Sequence, residues 1–197
     1  MIIEMTTWIE TMAVPSKYIQ SVVKAAQGSP KSTDWYRDKI REFGTPTSLD
    51  LIRDGKQAGR PFFGRLNMFI YDPKLKKKLP YYDTFPLVLP LERYNDGFLG
   101  INFHYLPIPL RMRLLDRVVD FSNNTKFDKT TVIMAEYRKF KNIREIKPTL
   151  KRYLAGRVKT RYRRVDADEF TVATLLPIAR WKKASAGEVY SDSRKLI

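Results

Sequence analysis

Phe98–Pro107 reads FLGINFHYLP, an almost wholly apolar stretch inside a strongly basic chain. Just before it stands Asn95–Gly97, NDG, whose residues suit a tight hairpin turn. Before that turn runs TFPLVLPLERY, residues 84–94. Both flanks are apolar at consecutive positions, which predicts strands buried on both faces. They form the expected centre of a small antiparallel β-barrel or sandwich. Pro86 and Pro90 cannot donate ladder hydrogen bonds, so their strand should lie at an edge or carry a bulge. Gly100 predicts a bulge or a close backbone approach. His104, the only histidine, alternates with Phe103 and Tyr105 and reads as part of the core. No cysteine stands ready to pair with it, and no G-x-S-x-G elbow is present.

Moving outward, RLNMFIYD (65–72) alternates Leu66, Met68 and Ile70 with Asn67, Phe69 and Tyr71, another strand pattern. PKLKKKLPYYD (73–83) is a basic connector. The N-terminal third predicts three short helices: after Pro15 up to Gly28, from a Thr33 or Asp34 cap to Gly44, and from Thr47 or Ser48 to Gly55. They carry too few apolar residues to fold alone. After Pro107, PLRMRLLDRVVDF (109–121) predicts a helix with Leu110, Leu114, Val118 and Phe121 inward and Arg111, Arg113 and Arg117 outward. Residues 130–140 lean to strand, 147–156 to a short helix, and 157–177 to two extended segments around a turn at Asp166–Asp168. The expected class is α+β: a β-barrel or sandwich with inserted short helices behind a helical arm. The expected divisions are a helical arm over 1–58, a β-rich core over 59–182, and a flexible tail over 183–197.

Charge points to the partner. There are 37 Lys and Arg against 21 Asp and Glu, a net of +16, which implies an anionic partner, with nucleic acid first. Twelve cations fall within residues 138–164: Arg138, Lys139, Lys141, Arg144, Lys147, Lys151, Arg152, Arg157, Lys159, Arg161, Arg163 and Arg164. Only Glu145 opposes them. If RVKTRYRR (157–164) is extended, Arg157, Lys159, Arg161 and Arg163 share one strand face, and Val158, Thr160 and Tyr162 share the other. A cationic strand face tracks phosphates. Tyr137, Phe140, Tyr153 and Tyr162 could stack on bases or anchor the segment to its core. Lys74, Lys76, Lys77 and Lys78 would extend the surface if they project to the same side.

Other classes fare worse. With no cysteine and one histidine, disulfides, thiolate nucleophiles and two-histidine metal sites are excluded. No apolar run reaches the roughly 18 residues of a membrane span, and MIIEMTTWIETMAVPSKY is not expected to act as a secretory leader. There is no phosphate-binding glycine loop, and no cofactor or metal is implied. A metal-dependent nuclease would need gathered carboxylates; Asp83, Glu92, Glu145 and Asp166–Glu169 are its only candidates, and they are scattered.

GRLNMFIYD, LPYYDTFPL, GFLGINFHYL, the proline–arginine–leucine helix and RRVDADEFTVATLLP together resemble small virion-associated proteins of contractile-tailed, T-even type phages. The resemblance spans residues 64–177. It implies a virion structural protein, either a DNA end protector or a tail or baseplate component. It implies neighbours among other virion proteins, several copies in a symmetric assembly, and no catalytic residue. The expectation is therefore a non-enzymatic phage protein with a basic face toward double-stranded DNA and no sequence preference. The alternatives are a tail protein whose basic face meets acidic protein, and a nuclease.

Overall fold

The computed structural model describes residues 17–27, 31–120, 126, 129, 131–133, 140 and 142–197. Three helices come first: α1 (Tyr18–Ala25), α2 (Thr33–Glu42) and α3 (Ser48–Arg53). Ser32, rather than Thr33 or Asp34, caps α2 by accepting from Trp35 N. Thr47 and Asp50 form a reciprocal capping box on α3. The strands β1 (Gln57–Ala58), β2 (Leu66–Met68), β3 (Tyr82–Asp83), β4 (Leu87–Tyr94) and β5 (Gly97–Asn102) follow. After them come α4 (Ile108–Val119), α5 (Ile146–Thr149), β6 (Leu150–Leu154), β7 (Tyr162–Val165), α6 (Phe170–Leu175), β8 (Trp181–Lys182) and α7 (Ala186–Leu196).

The β4–β5 hairpin turns at Asn95–Asp96, pairing Tyr94 with Gly97 and Val88 with Asn102. Its register shifts between Pro90 and Glu92, so the N–H that proline lacks falls at a bulge. Two glycines make the close packing possible. A Cβ on Gly100 would stand 2.5 Å from the Val88 side chain and 3.0 Å from the Leu89 carbonyl oxygen. One on Gly97 would stand 1.9 Å from the Tyr153 carbonyl oxygen. Beyond Asn102 the chain leaves the sheet, and Phe103–Tyr105 form a 3-10 turn capped by the Asn102 side chain.

One antiparallel sheet runs in the order β1-β7-β2-β4-β5-β6, and β3 pairs with β8 separately. Both sheet faces pack against buried apolar clusters. One carries Leu66, Met68, Leu87, Leu89, Ile101 and Val165 into a core shared with α1, α3, α4 and α6. The other holds a second, aromatic cluster of Phe69, Tyr71, Phe98, Tyr153 and Tyr162 around Val88. Phe69 meets Tyr71, Tyr153 and Tyr162 edge-on at 5.0–6.1 Å between centroids, the arrangement that aromatic quadrupoles favour.

Mixed α and antiparallel β structure agrees with expectation, and several details do not. Among the described residues the sheet is open, with β1 and β6 at its edges, and helices cover the face around which a barrel would close. The proline-bearing β4 does carry the expected bulge and takes a central place in the sheet. Residues 150–154 are strand β6, because pairing with β5 (Ile101 with Leu150, Phe98 with Tyr153) overrides a helical pattern. Residues 170–175 are helical and not extended: Asp166 and Glu169 form a capping box that starts a helix. The tail expected to be flexible is α7, capped reciprocally by Ser185 and Glu188 and anchored by buried Val189. The boundary at residue 58 does not separate units, since Gln57 pairs with Arg163 and Tyr18, Ile19, Val22, Ile40 and Leu51 lie in the main core. Phe121 and most of the strand expected over 130–140 lie outside the described residues.

Candidate nucleic-acid interface

Local chain geometry brings two basic segments together. Tyr71 bridges to Val158, Asp72 N donates to the Arg157 carbonyl at 3.1 Å, and Lys159 N donates to the Ile70 carbonyl at 2.8 Å. The turn Pro73–Lys78 therefore grows out beside Arg157–Arg161. In those two stretches Lys74, Lys76, Lys77, Lys78, Arg157, Lys159 and Arg161 face a single acid, Asp72. All are exposed except Arg157, which is half-buried. Lys76 donates to Asp72 at 2.8 Å. That hydrogen bond, opposed by slight desolvation and reinforced by the charges of Lys76, Lys159 and Arg157, holds the Asp72 carboxyl below its ordinary range. Lys183 ties the turn down by donating to the Lys77 and Leu79 carbonyls at 3.0 and 2.8 Å.

The other expected site residues are dispersed. Arg138, Lys139 and Lys141 lie outside the described residues. Arg144 and Lys147 are exposed beside the C-terminal Leu196 and Ile197. Lys151 is half-buried with its Nζ 4.0 Å above the Tyr105 ring, and burial pushes its pKa down to about 8. Arg152 lies 3.9 Å over Tyr94 and pairs with Asp96. Arg164 donates to Asp166 at 2.8 Å.

Arg163 lies elsewhere than on the cationic strand face expected of it. The strand is shorter than expected, since Ala155–Arg157 form a 3-10 turn and β7 begins only at Tyr162. Within β7 the alternation holds, but both faces are buried. Tyr162 enters the aromatic cluster. Arg163 points into the helical layer, fully buried, and donates to both Glu169 oxygens at 3.0 Å. Asp54 lies 3.8 Å away. Arg163 is a core ion-pair residue and offers nothing to a phosphate. Arg111 is buried likewise, against expectation, donating to the Leu106 carbonyl at 2.6 Å and to the Tyr190 hydroxyl at 2.8 Å.

His104 is fully buried, and its Nδ1 lies 2.7 Å from Asp83 Oδ2. A carboxylate can only accept, so Nδ1 carries the proton. Asp83 also accepts from the Phe85 and Arg180 backbone N–H groups at 2.9 and 3.0 Å. Burial alone raises an acid, but His104 and these donors outweigh it and hold Asp83 below its ordinary value. Burial also holds the imidazole below its ordinary value, so it stays neutral. Four of the other nuclease candidates have structural partners: Glu92 accepts from Tyr94, Glu145 from Arg117, Asp166 from Arg164, and Glu169 from Arg163. Among the described residues no cluster of three His, Asp or Glu could hold a metal. None of the described helices is long and apolar enough to cross a membrane.

Sequence reasoning missed a cleft of about 480 Å³ between the hairpin tip and residues 60–63. Arg60, Phe63, Arg93, Tyr94, Phe98 and Tyr162 line it. Arg93 lies 4.9 Å over the Phe63 ring. The Arg-Tyr pair immediately before NDG was the available signal. Ala155 and Tyr162 are both in the cleft wall, so the chain between them carries Arg157, Lys159 and Arg161 away from the cleft and back.

A family model described as phage T4 terminal DNA protecting protein matches residues 13–196. No curated protein and no solved structure matches the chain.

Proposed function

Because this chain belongs to the phage T4 terminal DNA protecting protein family, we propose that it is a non-enzymatic virion protein that binds and shields the ends of double-stranded DNA. The basic face made by Lys74–Lys78 with Arg157, Lys159 and Arg161 meets the phosphates. The observation that carries this reading is the meeting of the two basic segments at the Tyr71–Val158 bridge. Seven cations around one acid form a surface whose affinity for a polyanion comes from counterion release. Nothing in that surface resembles a helix or ribbon shaped to read base edges, so binding is independent of sequence. Asp83, Glu145, Asp166 and Glu169 are engaged by His104 and by arginines, which fits binding without cleavage. Neighbouring virion proteins would hold the protein in the particle, with several copies in a symmetric arrangement.

Salt dependence tests this. Each phosphate contact contributes about 0.9 to the slope of log affinity against log salt. Replacing Arg157, Lys159 and Arg161 together by glutamine should flatten that slope by about 2.7 and leave the unfolding midpoint unchanged. An unchanged slope in a folded triple variant refutes the assignment of this face.

A further inference from the structure

A basic face alone does not explain recognition of an end. Phosphates run along the whole duplex and are as available in its middle as at its terminus. An end differs in presenting an uncovered base face and a nucleotide stacked on one side only. A protein that prefers ends needs a stacking surface within reach of its phosphate-binding face. The cleft between the hairpin tip and Arg60–Phe63 meets that requirement.

Its position follows from the chain path, because the segment bearing Arg157, Lys159 and Arg161 starts and finishes in the cleft wall at Ala155 and Tyr162. Its size, about 480 Å³, falls within the range of sites that enclose a small ligand. Its chemistry combines rings with guanidinium groups. Tyr94 is 39% exposed and carries the Arg152 guanidinium on its ring at 3.9 Å. Phe63 is half-buried beneath Arg93. Arg60 and Arg93 are exposed at the mouth. The rings are supported from below, since Phe98 and Tyr162 belong to the buried aromatic cluster. The hairpin tip is braced by the Arg152–Asp96 pair and by Ala155 N donating to the Asp96 carbonyl at 2.9 Å.

Resting on the DNA-binding reading above, we infer that this cleft receives the terminal nucleotide of the DNA end, frayed or in a short overhang. The base stacks on the face of Tyr94 that Arg152 leaves open, and Arg60 and Arg93 clasp its phosphate. Stacking one base on an aromatic platform corresponds to about a ten- to hundredfold gain in affinity. That gain is available to open ends and denied to closed DNA.

The test compares two duplexes of identical sequence at fixed salt. One has three-nucleotide overhangs with 2-aminopurine at the terminal position, and the other is capped by hairpins at both ends. The wild-type protein should prefer the open duplex by tenfold or more and change the 2-aminopurine fluorescence on binding. Tyr94→Ala and, separately, Arg93→Gln should abolish the preference and the fluorescence change, with binding to the capped duplex unaltered. Both positions are exposed at the hairpin tip, so unchanged unfolding midpoints are expected. Equal wild-type affinity for the two duplexes overturns the inference, as does a preference that survives both variants. The basic-face reading fails separately, if the triple glutamine variant binds the capped duplex as well as the wild type does.

Discussion

Replacing Arg163 by methionine removes the charge and keeps an unbranched apolar stem in the same space. Its guanidinium is fully buried and donates to both oxygens of Glu169 at 3.0 Å, with Asp54 at 3.8 Å. Glu169 keeps hydrogen bonds from Gln20 and from the Asp166 backbone N–H, but among the described residues no other cation pairs with it. Breaking a buried pair by removing one partner costs about 3–5 kcal/mol, because the remaining charge is left uncompensated. With a urea m-value of about 2 kcal/mol per molar for a domain of this size, the midpoint should fall by about 1.5–2.5 M. The loss has a pH signature. Desolvation pushes the Asp54 carboxyl up to about 6, opposed by the Ile19 backbone N–H and by Arg163. Asp54 therefore sheds its charge on mild acidification, and the penalty should be smaller at pH 5 than at pH 8. Denaturation at both pH values is the assay. A double variant, Arg163→Met with Glu169→Leu, should be more stable than Arg163→Met alone, because it leaves one buried charge fewer. A single variant with an unchanged midpoint would show that the guanidinium is not compensating these carboxylates.

Two other outcomes are expected. Because the native Asp54 pKa lies near 6 against an ordinary 3.8, the native state binds that proton more tightly than the unfolded state. Its contribution is complete below pH 4 and lost as pH rises through 6, by at most on the order of 3 kcal/mol; Asp54→Asn should flatten stability across that window in urea titrations, and an unchanged profile contradicts the assignment. Gly97→Ala forces a Cβ onto the Tyr153 carbonyl oxygen at 1.9 Å and should cost at least about 1–3 kcal/mol by separating β5 from β6, visible as faster amide exchange along both strands.

The hairpin was legible because its signals are local. NDG names the turn, and an apolar strand on each side names the burial. The α3 and α4 helices were legible for the same reason, through Thr47 and the Pro107–Pro109 start. Strand β6 was not, since nothing in LKRYL says that Gly97–Ile101 will lie alongside it; only the finished sheet decides. Asp166–Glu169 read as a turn and cap, but the β-branched and apolar residues after it read as extended and concealed the helix over Phe170–Leu175. Charge counting located the basic segment but could not sort it. Arg157, Lys159 and Arg161 face outward, while Arg163, two residues on, faces Glu169 in the core. Strand alternation fixes which residues share a face, but not which face is wet. The cleft drew on residues 60–63 and 93–98, a juxtaposition that chain distance conceals.

The most direct measurement is protection of a linear duplex from an end-attacking exonuclease. Wild-type protein should preserve the ends, as should a control with three positive charges removed elsewhere, Arg37→Gln, Arg41→Gln and Arg53→Gln. The Arg157→Gln, Lys159→Gln, Arg161→Gln variant, folded and at equal concentration, should leave the ends open to degradation. Full protection by that variant, or equal loss of protection in the control, would contradict the assignment of the DNA-facing surface.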